Sequence, residues 1–224
     1  LPIIAIRPEP GCAATVAAGL AMGLAIAGYP LFAVEPLAWQ APDTAQIDAV
    51  LAGSANAFRH GGSVLDRFRD KPVYAVGQAT AESARTAGFA VAATGSGGLQ
   101  TLLDSAVPQG LRLLRLSGED HVPVNAPPTI TIVTRIAYVS RALPIGAAMA
   151  GQLADGALVL LHSAVAARQL ADECDRLGLA RSHIRLAALG PRIADAAGQG
   201  WRALASAASP DDAALLALAR ELCQ

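Results

Sequence analysis

The chain is 224 residues long, 53% apolar and 16% charged, with 17 basic against 18 acidic side chains and a formal net charge of −1. This length excludes a single very small domain and allows one large domain or two of about 110 residues each. The balanced charge excludes the broad basic surface of a nucleic-acid binder, so no nucleic-acid partner is expected. Aromatics are only 4%, so the excess apolarity is alanine, a strong helix former of small volume, and many close-packed helices are expected.

Short β-rich runs alternate with Ala-rich helical stretches from the start of the chain. Residues 3–6 read as a strand, 13–27 as a helix and 31–34 as a second strand. The segment from Pro10 to Val34 carries no charge and is long enough for a membrane span of about 20 residues. Gly28 and Pro30 punctuate it, however, so a buried helix plus strand is expected, with no membrane contact. A secretory leader is not expected either, because Glu9 precedes the run where a basic segment would be needed. Further strands are predicted at 49–52, 73–76, 111–116, 129–134, 157–161 and 185–189. Each helical run is closed by Gly or a turn cluster. Strands alternating with helices point to parallel α/β architecture.

Cys12, Cys174 and Cys223 lie far apart and form no Cys-x-x-Cys pair. Neither a disulfide framework nor a zinc site is expected, and a reduced, cytoplasmic setting is the default reading.

Sliding the chain against itself exposes an internal duplication in three collinear pieces. Ser54-Ala55-Asn56-Ala57-Phe58-Arg59 matches Ser163-Ala164-Val165-Ala166-Ala167-Arg168 at a shift of 109 residues. Ala75-Val76-Gly77, then Ala81-Glu82 and Gly88-Phe89, match Ala188-Leu189-Gly190, Ala194-Asp195 and Gly200-Trp201 at a shift of 113 with a one-residue gap. Ser96 with Leu102-Leu103 falls on Ser209 with Leu215-Leu216 at the same shift of 113. Two like-built halves explain the series better than chance matches among Ala-rich repeats.

Each repeated piece is a strand, a short Ser or Gly turn and a helix start. Such a turn aims unpaired N–H groups and the positive end of a helix dipole at the sheet edge, where ligands of open parallel sheets gather. Ser54, Thr80 and Ser163 fall at these helix starts. Each can act as an N-cap, worth about 1 kcal/mol, and capping is compatible with ligand contact. Two such edges suit a flexible, multiply anionic small molecule.

Other constellations are weaker. Gly95-Ser96-Gly97-Gly98, with Glu119 following, is a poor dinucleotide loop because the third glycine is missing, and an ordinary turn is the simpler reading. His162 and Ser163 are neighbours, which on a strand point to opposite faces and cannot form a nucleophile and base. No Gly-x-Ser-x-Gly elbow surrounds Ser54 or Ser163. His60, His121 and His183 have no metal-ligand spacing, so no metal site is expected. Asp211-Asp212 reads as an acidic helix start.

Arg7-Pro8 after the first strand, Ser54-Ala55-Asn56-Ala57, Val73-Tyr74-Ala75-Val76-Gly77 with Thr80-Ala81, Ala137-Tyr138, and Ala188-Leu189-Gly190 with Gly200 together resemble the uroporphyrinogen-III synthase family. The resemblance spans nearly the whole chain and rests on the order of short motifs. It implies an α/β fold of two Rossmann-like lobes with parallel sheets, the second lobe inserted into the first and joined to it by a two-stranded connection. The first lobe would hold residues 1–36 and 137–224, the second 37–136. It also implies a cytoplasmic, monomeric lyase of porphyrin (haem) biosynthesis that needs no cofactor. Its small-molecule substrate would be hydroxymethylbilane, a linear tetrapyrrole with eight carboxylates, cyclised to uroporphyrinogen III with inversion of ring D.

By the same resemblance Tyr138 is the expected catalytic residue, assisting departure of the terminal hydroxyl; a hinge aromatic that only packs is the alternative. Substrate contacts are expected from Arg7, Ser54, Asn56, Gly77, Thr80, Ser163 and Gly190. The second-half turn Gly190-Pro191-Arg192-Ile193 lacks the threonine usual there, so Arg192 is expected to substitute as an anion contact. Ser117-Gly118-Glu119-Asp120 stands where the family often has Arg-Gly, and Val122 to Pro128 is too short and Pro-rich for the helix expected before the next strand. A catalytically silent two-lobed binding or sensory module of the same fold remains the alternative function.

Overall fold

The computed structural model describes residues 1–223. In chain order the elements are β1 (Ile3–Ala5), α1 (Gly11–Ala21), β2 (Ile26–Gly28), β3 (Phe32–Pro36), β4 (Ala49–Ala52), α2 (Asn56–His60), β5 (Val73–Val76), α3 (Gln78–Thr86), β6 (Val91–Gly95) and α4 (Leu99–Ser105). There follow β7 (Arg112–Gly118), β8 (Thr131–Ala142), α5 (Ala147–Ala154), β9 (Leu158–Leu161), α6 (Ala164–Leu177), β10 (Arg185–Ala188), α7 (Pro191–Ala196), β11 (Ala203–Ser206) and α8 (Asp212–Leu222).

Two compact units result. Unit 1 is Leu1–Ala33 with Arg141–Gln224, and unit 2 is Val34–Ser140. The chain leaves unit 1 within β3 and returns within β8. Leu37 N–H bonds to the Ala137 carbonyl, and Leu143 N–H to the Leu31 carbonyl. Those pairings run in opposite chain directions, so β3 and β8 are antiparallel.

The sheet of unit 1 has the order β11-β10-β9-β1-β2, all neighbours parallel. All four residues of β9 are buried, as expected of a parallel strand covered on both faces. Alternation sorts its side chains: Ile4, Ile6, Val159, Leu161 and Leu186 pack with Met149 of α5 and Leu170 of α6. The opposite face sets Ile3, Ala5, Leu158 and Leu160 against Cys12 of α1 and Leu215 and Leu216 of α8.

Unit 2 repeats the plan. Its sheet runs β3-β8-β7-β4-β5-β6, parallel from β8 to β6. Val50, Ala52, Leu114 and Leu116 face Phe58 of α2 and Ala81 and Ala84 of α3. Ala49, Leu51 and Leu113 face Leu102 and Leu103 of α4. The three duplicated pieces occupy equivalent places, following β4 and β9, β5 and β10, and β6 and β11 in the two sheets.

The structure corrects three expectations. The helix expected over 13–27 ends at Ala21, because Gly23 adopts φ +76°, a conformation that turns the chain out of the helix, and Ile26–Gly28 then pairs with β1 as β2. A uniform run of apolar residues hides this break. Neither β6 nor β11 has a counterpart among the predicted strand ranges; each is an edge strand of its sheet with no buried residue, so burial imposes no continuous apolar run of the kind seen in β9. β8 extends well past the predicted 129–134, to Ala142.

Candidate functional site

Because β4, β5 and β7 run the same way, their carboxyl ends deliver their following turns to one edge of the unit 2 sheet. A cavity of about 450 Å³ opens there. It is lined by Ser54 after β4, the Gly97-Gly98 turn before α4, Arg115, Ser117 and Gly118 of β7, the 120–124 segment and Tyr138 of β8. No helix forms over 119–128, in keeping with its prolines.

Tyr138 lies against β7. A Cβ on Gly118 would come within 2.7 Å of Tyr138 Cε2 and 3.0 Å of Cζ, so only glycine lets the ring sit where it does. The His60 ring lies 6.3 Å away, centroid to centroid. Burial, reinforced by the charge of Arg59, pushes the His60 pKa down. Ser54 Oγ accepts from the Asn56 N–H at 3.2 Å, which leaves its own proton free to donate into the cavity.

Arg115 is the most unusual side chain of this cavity. It is 3% exposed, and among the described residues it has no ion-pair partner. Nη2 donates to the Val122 carbonyl at 2.7 Å, while Nε is buried with no acceptor. Burial pushes its pKa down, with Tyr138 pulling the other way.

Unit 1 carries a second polar group at the corresponding edge. Arg7, just after β1, pairs with Asp212 of α8 at 3.0 Å, and the buried Thr15 hydroxyl donates to the same Asp212 oxygen, also at 3.0 Å. A Cβ on Gly11 would come within 2.5 Å of Arg7 Nε, so that glycine makes room for the guanidinium. His162, just after β9, places Nε2 3.3 Å from Asp212 Oδ1 without hydrogen-bond geometry, and Nδ1 is unpartnered. Burial first, then the charge of Arg7, bring the His162 pKa down to about 4 against the pull of Asp212.

The sequence-predicted residues therefore divide. Ser54 and Tyr138 share the unit 2 cavity, and Asn56 begins the helix that Ser54 bonds. Gly77 precedes α3, and its N–H is taken by the Gly95 carbonyl at 2.8 Å, so the donors left at that turn belong to the following residues. Thr80 is buried inside the first turn of α3, whose N-cap is Gly77 with no side-chain hydrogen bond, so the cap expected of Thr80 is not made. α2 likewise has Ala55 as its N-cap, and Ser54 bonds the Asn56 N–H from just before it. Ser163 caps α6, accepting from Ala166 N–H at 3.2 Å. Gly190 is extended ahead of α7, whose Arg192 is exposed. Arg7, by contrast, is already held by an acid.

Two features escaped the sequence reading. Arg115 left a trace, a charge embedded in the apolar run Leu113-Leu114-Arg115-Leu116. The meeting of His162 with Asp212 left none, since the two are brought together only by the packing of α8 on β9. No group of three or more His, Cys, Asp or Glu among the described residues could hold a metal, and no helix among them is long and apolar enough to cross a membrane.

The family model for uroporphyrinogen-III synthase HemD matches residues 14–217. The chain belongs to the uroporphyrinogen-III synthase family. Among solved structures it is similar to a uroporphyrinogen-III synthetase from Helicobacter pylori 26695, with a TM-score of 0.65 and 16% identity over 98% of each chain. It is also similar to a mutant uroporphyrinogen III synthase from the extremely thermophilic bacterium Thermus thermophilus, with a TM-score of 0.53 and 16% identity over 100% of this chain and 99% of that one. At such identities these two likenesses establish the two-lobed uroporphyrinogen-III synthase fold alone. No curated protein matches the sequence.

Proposed function

We propose that the chain is an active uroporphyrinogen-III synthase, converting hydroxymethylbilane to uroporphyrinogen III without a cofactor. The observation that carries the reading, within a family match over residues 14–217, is the cavity of unit 2, where a tyrosine and a buried guanidinium meet beside serine hydroxyls. Such a lining suits a neutral, hydroxyl-bearing pyrrole with acidic side chains. A cavity of about 450 Å³ takes about one or two substituted pyrroles of the chain, leaving the rest to lie along the sheet edge.

The terminal hydroxyl leaves as water, aided by a hydrogen bond from Tyr138, and an electrophilic azafulvene remains. The last pyrrole attacks through its substituted carbon, the resulting spiro intermediate fragments, and reclosure inverts ring D. Direct closure gives isomer I, so the protein's main contribution is to hold one folded conformer and exclude the direct approach. Arg7, Ser54, Asn56, Gly77, Thr80, Ser163, Gly190 and Arg192 would contact the carboxylates at or near the strand-end turns. Arg7 does so with part of its charge already met by Asp212.

Incubation with freshly made hydroxymethylbilane, oxidation and separation of the porphyrin isomers tests this directly. Isomer III in excess is expected. Isomer I alone, at the uncatalysed rate, would overturn the enzymatic reading and leave a silent binding module of the same fold.

A further inference from the structure

Arg115 is charged at any ordinary pH and stands in the interior of β7 with 3% of its surface exposed. A buried cation is normally matched by a carboxylate, because an unmatched one carries the full cost of leaving water. Among the described residues none does so here. Asp120, the one acid lining the cavity, is exposed and makes no ion pair with Arg115. The single hydrogen bond to the Val122 carbonyl at 2.7 Å uses one of five N–H donors, and Nε is left buried without an acceptor. Ser117 lies two residues along β7, on the same face of the strand, and lines the same cavity.

We propose that Arg115 anchors an oxyanion subsite in the unit 2 cavity that takes one carboxylate of the substrate, with the Ser54 hydroxyl as a further donor. A carboxylate there would accept from guanidinium N–H donors that Val122 does not take, and it would neutralise the buried charge. The identity of that carboxylate as one borne by a tetrapyrrole rests on the proposed function; the subsite itself rests on Arg115. A purely structural role, pinning the 119–124 segment through Val122, accounts for one donor and leaves the missing counter-charge unexplained.

Arg115→Met is expected to raise KM for hydroxymethylbilane at least tenfold, to lower kcat less, and to flatten the increase of KM with salt. Arg115→Lys, which keeps the charge and loses the guanidinium donors, should fall between Met and wild type. An unchanged KM and salt dependence in the Met variant, with only a lower melting temperature, would reduce Arg115 to a structural pin and overturn the proposal. Should the Met variant fail to fold, wild-type protein carrying 15N-labelled arginine supplies the reading, with the Nε–H signal assigned through the Lys variant. That signal should shift on addition of uroporphyrin III, the stable oxidised octacarboxylate, and also with citrate at higher concentration. A stationary signal with both probes would overturn the subsite. A shift with citrate in a protein that makes only isomer I would keep the subsite and discard the tetrapyrrole reading.

Discussion

The Tyr138 ring rests on a position that tolerates no side chain, which makes two substitutions informative together. Tyr138→Phe removes the phenol while keeping the ring against Gly118, so turnover should fall at least tenfold with a stability change under about 1 kcal/mol; unchanged turnover in the isomer assay would reassign the ring to packing. Gly118→Ala keeps the phenol but displaces it, since the new Cβ would stand 2.7 Å from Cε2. It should lower both turnover and stability, the latter by about 1 to 3 kcal/mol in urea unfolding. In unit 1, His162 is the residue whose charge state folding controls. Its folded pKa of about 4 lies below the usual 6.5, so on acidification the unfolded chain binds the proton first. Stability is full above pH 6.5 and declines as pH falls towards 4, with a slope of at most about 1.4 kcal/mol per pH unit for that proton. Glu173, Asp211 and Asp48, all lowered, act in the same direction further into acid, and His60 overlaps the window. The difference between wild type and His162→Gln therefore isolates the effect: urea midpoints between pH 6.5 and 4.5 should be flatter in the variant, and parallel curves would rule His162 out.

At the scale of single elements, capping decides where two helices begin. Ser163 Oγ accepts from Ala166 N–H at 3.2 Å ahead of α6, and Asp211 accepts from Ala214 N–H at 2.9 Å ahead of α8. Ser163→Ala and Asp211→Ala should each cost about 1 kcal/mol in urea unfolding, whereas glycine at either place should cost only a few tenths. Equal losses for Ala and Gly would mean that contacts other than the cap are being removed. These starts are readable in the sequence because a cap is a local device, one polar residue acting three positions along. The end of α1 is not readable in the same way. Residues 13–27 are uniformly Ala- and Gly-rich, so neither a period nor a charge marks the change from α1 to β2, and only the pairing of Ile26 with Ile3 makes it a strand.

At the scale of the molecule, each unit closes its own cores, with Trp39 packed on that of unit 2 and Trp201 on that of unit 1. Leu114→Ala and Leu170→Ala, each removing a fully buried side chain, should each cost about 2 to 5 kcal/mol. Followed by fluorescence in single-tryptophan variants, Leu114→Ala should lower the transition reported by Trp39 more than that reported by Trp201, and Leu170→Ala the reverse. Identical shifts at both probes would mean that the chain unfolds as one cooperative block. The sequence by itself determined the α/β alternation, the duplicated strand-turn-helix pieces and the side-chain caps at Ser163 and Asp211. All of these are written in periodicity and in short-range chemistry, which act between residues close along the chain. Only the tertiary structure decided which polar groups meet. That Arg115 faces a cavity with no acid paired to it, and that His162 and Arg7 converge on Asp212, depends on strand order and on which helix covers which face, and the free energy that selects those arrangements is spread over the whole of each core.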